Sequence, residues 1–251
     1  MSPDRVELSQ EMLLAALGES WSPADVSAAA ELLSGGEGQF PSGIRSLPSD
    51  LVSAVQRERL LAAMLRATAE LGYREVSVQD VLDRAGVSRP TFYEHFENKE
   101  ASFLAAFDNA AGRLRKRLED AAAEGEGWRQ RLRLSLEELL RFVAEDHDAA
   151  MSLIVDGRGA CPDALARRDE LLDRFSSCLD EMVRAEAPAG QGPSAIAAAG
   201  IVGGIEALLY SRLNRGETSG LRDLLPSLMY FAVLPYEGHE AASDELAVPV
   251  R

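Results

Sequence analysis

Between Ser77 and Lys99 the apolar positions fall into two short helical stripes separated by one break. Val78, Val81, Leu82 and Ala85 stand at i, i+3, i+4 and i+7, one face of a helix that begins near Ser77 and stops at Ala85. Gly86 is the residue best able to take a left-handed backbone after a helix end, and Val87 is a small apolar plug for the corner. Ser88 can cap a second helix, Pro90 is tolerated in its first turn, and Phe92 and Phe96 form an i, i+4 core pair. The pattern predicts a helix-turn-helix. Upstream, Leu60, Met64, Ala67 and Leu71 mark the buried face of a helix over 51–71, with Arg57 and Arg59 outside and Gly72 at its end. Downstream, Asn98 can cap a helix from 99 to about 123 that carries Phe103, Phe107, Ala110, Leu114 and Leu118 on one face.

The second helix of the pair leaves Arg89, Thr91, Tyr93 and His95 facing outward. Short, planar hydrogen-bonding groups at a helix N-terminus suit the major groove of duplex DNA. There side chains reach base edges, while hydroxyls, free amides and the helix dipole meet phosphates. Glu94 runs against this, because a carboxylate beside the phosphate backbone is repelled; it must accept from a cytosine amino group, pair with an arginine, or point away. The plainer alternative is two amphipathic helices with solvated polar residues.

The stretch AGVSRPTFYEHFENKEASFLAAF, residues 85–107, resembles the signature of the TetR family of bacterial transcription regulators, and the resemblance extends back to about Gln56. It implies that Arg89 and Tyr93 approach bases, that Pro90 packs near a thymine methyl, and that Gln79 on the first helix reaches a base edge. It also implies that Thr91, His95 and Lys99 hold phosphates, with Ser88 at the helix start in the same DNA-facing set. In that family the helix after the reading head carries a ligand's presence to it.

Past residue 107 the periodic segments 128–145, 149–155, 162–187, 193–215 and 221–236 predict a helical bundle with short connections. The expected fold is all-α: a three-helix DNA-binding domain over 45–107 and a helical ligand-binding and dimerisation domain over 108–238. A helical extension, 1–44, precedes them and a flexible tail, 239–251, follows. Arg45, in the connection before the first DNA-domain helix, is a candidate minor-groove arm. Trp128, Phe142, Met151, Phe175, Met182 and Tyr210 are candidates to line an apolar cavity, with His147, Asp156 or Arg158 as orienting polar groups. An aromatic or methionine on a helical stripe serves the core equally well. Gly200, Gly203, Gly204 and Ala207 let another backbone approach, and with Leu228 on the following helix they are candidates for a two-fold dimer interface; packing within the chain is the alternative. A dimer would present two reading helices about 34–36 Å apart, matched to a palindromic operator.

Composition changes the picture in one respect. The net charge of −15 is unusual for a nucleic-acid binder, but residues 45–107 carry eight basic against nine acidic side chains. Residues 1–44 carry one against seven, so the acidity lies mostly outside the reading head. Cys161 and Cys178 lack zinc or redox spacing and are expected as free thiols, although Cys161 before Pro162 is a candidate thiol sensor. Three scattered histidines and the lack of a phosphate loop or nucleophile motif argue against an enzyme, a metal site or a cofactor. The start has neither the basic nor the apolar region of a signal peptide, so the expected location is cytoplasmic, with no membrane partner. These features together predict a homodimeric, ligand-responsive regulator that binds an operator in double-stranded DNA, a repressor released by an unknown small-molecule effector. The competing readings are a helical small-molecule carrier and a partner-binding regulator that does not bind DNA.

Overall fold

The computed structural model describes residues 49–186 and 195–249, and the regular structure among them is helical, with no strand. The chain divides into two compact units between Ala106 and Phe107. The extension, with Arg45, lies outside the described residues.

The first unit contains α1 (Ser49–Leu71), α2 (Val78–Ala85), α3 (Arg89–His95) and the start of α4 (Lys99–Ala123). Leu51, Val55, Leu60, Leu61 and Met64 of α1 are wholly buried, with Val81 of α2, Phe92 of α3 and Phe103 of α4. Leu71, expected on this face, is 42% exposed, because the helix ends there. Arg59, expected outside, is half-buried, and that burial lowers its pKa. Its guanidinium packs beside Gly86. Glu70 pairs with Arg66 on the same helix (2.9 Å) and with Arg84 on α2 (2.6 Å), and the second of these ties α1 to α2.

Each short helix is terminated by its own sequence. Ser77 and Asp80 form a reciprocal capping box at the start of α2. Gly86 closes α2 at φ 63° and ψ 34°, with its N–H on the Leu82 carbonyl at 2.9 Å. Gly86→Ala is expected to destabilise the protein by about 1–2 kcal/mol, because a Cβ is strained in the left-handed region. Chemical denaturation checks this, and an unchanged midpoint would show that the turn tolerates the strain. Ser88 caps α3 by accepting from Thr91 N–H, and Asn98 caps α4 by accepting from Ala101 N–H at 2.8 Å.

The second unit holds the rest of α4 with α5 (Gly127–Glu145), α6 (His147–Ala150), α7 (Pro162–Arg184), α8 (Ala195–Asn214) and α9 (Leu225–Leu246). Between α6 and α7 the chain first widens into a π-helical turn, Met151–Val155, and then tightens into a 3-10 turn, Asp156–Arg158. Arg117 bridges α4 to Glu138 and Glu145 on α5, and Arg141 also reaches Glu138. Ile196–Asn214 of α8 is long and apolar enough to cross a membrane by length and composition, and 33% of that apolar window is buried within the chain.

The expected flexible tail is corrected by the path of α9. Gly238, at φ 82°, breaks the helix shortly after Pro235, and the chain then continues helically to Leu246. This last segment docks on α5. Ala242 is fully buried, and the buried Glu245 carboxylate accepts from Arg129 (Nε, 2.8 Å) and Arg133. Trp128 donates to Glu237 at 2.9 Å and meets the Tyr236 ring edge-on. No apolar period announces the segment, because one alanine and one buried carboxylate do the docking.

Candidate functional site

In the first unit Ser88, Arg89, Pro90, Tyr93 and Glu94 are exposed along α3, while Thr91 and His95 are partly covered. Phe92 and Phe96, behind them, are core, with ring centroids 5.8 Å apart, so the outward face is fixed by what is buried beneath it. Ser88 and Thr91 share a 2.8 Å hydroxyl contact at the start of the helix. Arg89 donates to Gln79 Oε1 at 3.1 Å, and Gln79 in turn donates to Asp83 at 2.7 Å. Arg89 of α3 and Gln79 of α2, both expected at base edges, are thus joined by a hydrogen bond. Tyr93, half exposed, stands beside them with its ring edge on Phe92.

Burial, and then the charge of Arg57, hold the His95 imidazole below its ordinary pKa. At neutral pH it offers a ring N–H rather than a positive charge. Lys99 is occupied inside the unit: its Nζ donates to the carbonyls of Tyr73 (3.0 Å) and Val76 (2.8 Å) and lies 4.4 Å from the Tyr73 ring centroid. An ammonium has three donors, so one N–H remains for a phosphate, and the main effect of Lys99 is to pin the start of α4 to the turn before α2.

In the second unit α4, α5, α7 and α8 line a cavity of about 550 Å³. That volume is in the usual range for small-molecule sites. Leu114, Leu118 and Ala122 come from α4, Leu132, Leu136 and Phe142 from α5, Phe175, Leu179 and Met182 from α7, and Ile201, Ile205 and Leu209 from α8. The exposed members of the lining include Arg115, Glu119, Arg131, Arg174 and Glu181. Cys178 is among them, and burial followed by the charges of Glu181 and Glu119 raises its thiol pKa. The thiol therefore stays protonated at neutral pH.

Of the predicted ligand residues, Phe142, Phe175 and Met182 line this cavity and the others do not. Trp128 faces Tyr236 and Glu237, His147 is exposed at the start of α6, and Met151 lies in the π-helical turn. Tyr210 is covered by the Arg158 guanidinium, 4.1 Å from its ring centroid. Sequence reading favoured large aromatics, whereas leucines and isoleucines on four helices do most of the lining. The missed signal was the stripe Leu171, Phe175, Cys178 and Met182, whose i, i+3 and i+4 spacing marks a second apolar face on α7. Of the predicted interface residues, Gly200, Gly203, Gly204 and Ala207 are exposed on α8. Leu228 is 4% exposed and belongs to the chain's own core, so it is not available on that face.

Two capped helices joined by a left-handed glycine, with a polar face fixed over a phenylalanine core, define a helix-turn-helix transcription regulator. The family profile described as "Bacterial regulatory proteins, tetR family" matches residues 60–106. Residues 60–106 thus carry the DNA-binding segment seen in TetR-type bacterial regulators. The chain is 29% identical over 189 residues to the "Uncharacterized HTH-type transcriptional regulator YdgC" of Bacillus subtilis (strain 168), a match that covers 71% of this chain and 93% of the relative. It is 25% identical over 122 residues to the "Fatty acid metabolism regulator protein" of the same organism, covering 49% of this chain and 63% of that protein. The crystal structure of the transcriptional regulator FadR from Bacillus subtilis in complex with stearoyl-CoA superposes with a TM-score of 0.63 at 22% identity, covering 70% of this chain and 97% of that one. The regulator reading thus stands over the carrier and the non-DNA-binding alternatives, and these relatives are regulators rather than enzymes.

Proposed function

We propose that this protein is a homodimeric cytoplasmic repressor that leaves a palindromic operator when a long-chain acyl ligand fills its cavity. The observation that carries the ligand class is the cavity of about 550 Å³, apolar over four helices and rimmed by charged groups. Two of the regulators similar to this chain point the same way, one named for fatty acid metabolism and one solved with stearoyl-CoA. Residues 45–107 would read DNA, Arg89, Tyr93 and Gln79 at bases and Ser88, Thr91 and His95 at phosphates. Residues from 108 would bind ligand and dimerise, with this domain extended to Leu246 by the docked end of α9.

The dimer rests on an uncovered face. Gly200, Gly203, Gly204 and Ala207 expose a flat strip of α8, and on α9 Phe231 and Leu234 are 44% and 37% exposed. An apolar helix with most of its surface uncovered needs a partner, and a second copy of the same face supplies one by two-fold symmetry. Ligand control is a population shift: the acyl ligand favours a state in which the heads no longer match successive grooves. α4 carries Leu114 and Leu118 into the cavity lining and Phe103 into the core of the first unit, which makes it the element that ligand can bias.

Palmitic acid or palmitoyl-CoA, titrated against the protein bound to a duplex selected from random DNA, is expected to release the duplex, whereas butyrate is not. At about a hundred times its Kd the effective ligand should also raise stability of the free protein by about 2.7 kcal/mol. Unchanged DNA affinity with ligand demonstrably bound would reject ligand control.

A further inference from the structure

Two charged side chains of the cavity lining are buried. They are Glu206 of α8 and Arg168 of α7, with side chains only 10% and 13% exposed, and their atoms are 2.8 Å apart. Arg158, from the 3-10 turn, also donates to Glu206, with Nε at 3.2 Å, so two guanidiniums converge on one carboxylate. Asp169 accepts from Arg168 Nη1 at 2.8 Å, but it is 60% exposed and its charge is screened by solvent. Arg158 is itself 35% exposed and does not line the cavity, so the buried charged side chains of the lining are Arg168 and Glu206.

We infer that this buried pair receives the head group of the ligand, and that the ligand is an unesterified long-chain carboxylic acid bound with its carboxylate on Arg168 and its chain along the cavity. This assignment rests on the acyl-ligand reading above and narrows it. Arg168 is suited to the role because a guanidinium has five N–H donors in a planar fork. Three are engaged here, by Glu206 and Asp169, which leaves one on each terminal nitrogen. An incoming carboxylate would accept from both of these N–H groups in charge-assisted hydrogen bonds. A methyl ester keeps the chain but loses the charge. A coenzyme A thioester would crowd two buried side chains with its bulky polar end there, and would instead bind with its head at the exposed Arg115, Arg131 and Arg174 of the lining.

Binding of palmitic acid, methyl palmitate and palmitoyl-CoA to the full-length protein, measured by displacement of a fluorescent fatty acid and by calorimetry, tests the assignment. The acid is expected to bind at least about tenfold more tightly than the methyl ester. In Arg168→Gln that ratio should fall to near one with ester binding retained, because Glu206 keeps Arg158 and no buried carboxylate is stranded. Arg168→Lys, which keeps the charge, should restore part of the preference. Equal affinity for acid and ester in the natural protein, a ratio untouched by Arg168→Gln, or binding of palmitoyl-CoA alone would each overturn the carboxylate on Arg168 while leaving the acyl-ligand reading in place. Binding of none of the three would overturn both.

Discussion

Arg89→Ala is expected to weaken binding to a duplex selected by the protein by roughly fivefold to 150-fold, the equivalent of about 1–3 kcal/mol for one good bidentate base contact. Adding Tyr93→Ala should remove sequence-specific binding. Neither side chain contributes to the phenylalanine core. Arg89 is exposed and its hydrogen bond is to the equally exposed Gln79, while Tyr93 only rests its ring edge on Phe92. Thermal unfolding should therefore move by less than a degree or two while DNA affinity collapses. Electrophoretic mobility shift at fixed salt, beside a melting curve of the same preparation, separates the two effects. Undiminished affinity in the double variant would place the reading surface elsewhere.

The second large effect concerns the end of the chain. Truncation after Gly238 should destabilise the protein by about 3–5 kcal/mol, because it strips the carboxylate from two arginines on α5. Arg133 is the more exposed to harm, since its side chain is only 16% accessible and pairs with Glu245. With a second unit of this size, such a loss corresponds to roughly 6–20 °C in Tm. Glu245→Gln should give a smaller loss, since the amide still accepts a hydrogen bond but carries no charge. A truncated protein within about 1 kcal/mol of the intact one would show that the docked segment contributes little.

The contrast between these two regions explains what could be read in advance. Ser77, Gly86, Ser88 and Pro90 act on the backbone within three or four residues of themselves, so the bounds of α2 and α3 follow from local chemistry alone. The outward face of α3 follows as well, once Phe92 and Phe96 are assigned inward. The cavity is different in kind. Its lining is assembled from four helices far apart in sequence, and a leucine such as Leu132 looks the same in the sequence whether it meets another side chain or an empty volume. Lys99 shows the same limit on a smaller scale, because the two carbonyls that hold it belong to residues more than twenty positions earlier. Glu245 failed to signal for the opposite reason: an isolated acidic residue near a terminus looks solvated until the arginines of α5 are brought to it.

The chain of contacts from Arg89 to Gln79 to Asp83 has a consequence for how selectively DNA is bound. Immobilising a free arginine side chain costs up to about 2 kcal/mol of rotamer entropy. Here much of that ordering is already present before DNA arrives, and it is the same for every sequence the protein meets. Under the proposed reading of bases by Arg89, a correct operator then gains the full contact with little ordering left to oppose it. At a wrong site the guanidinium keeps Gln79 as its partner and has no reason to leave. Discrimination then lies in an exchange of one hydrogen-bond partner for another, a difference that a single altered base pair is enough to reverse.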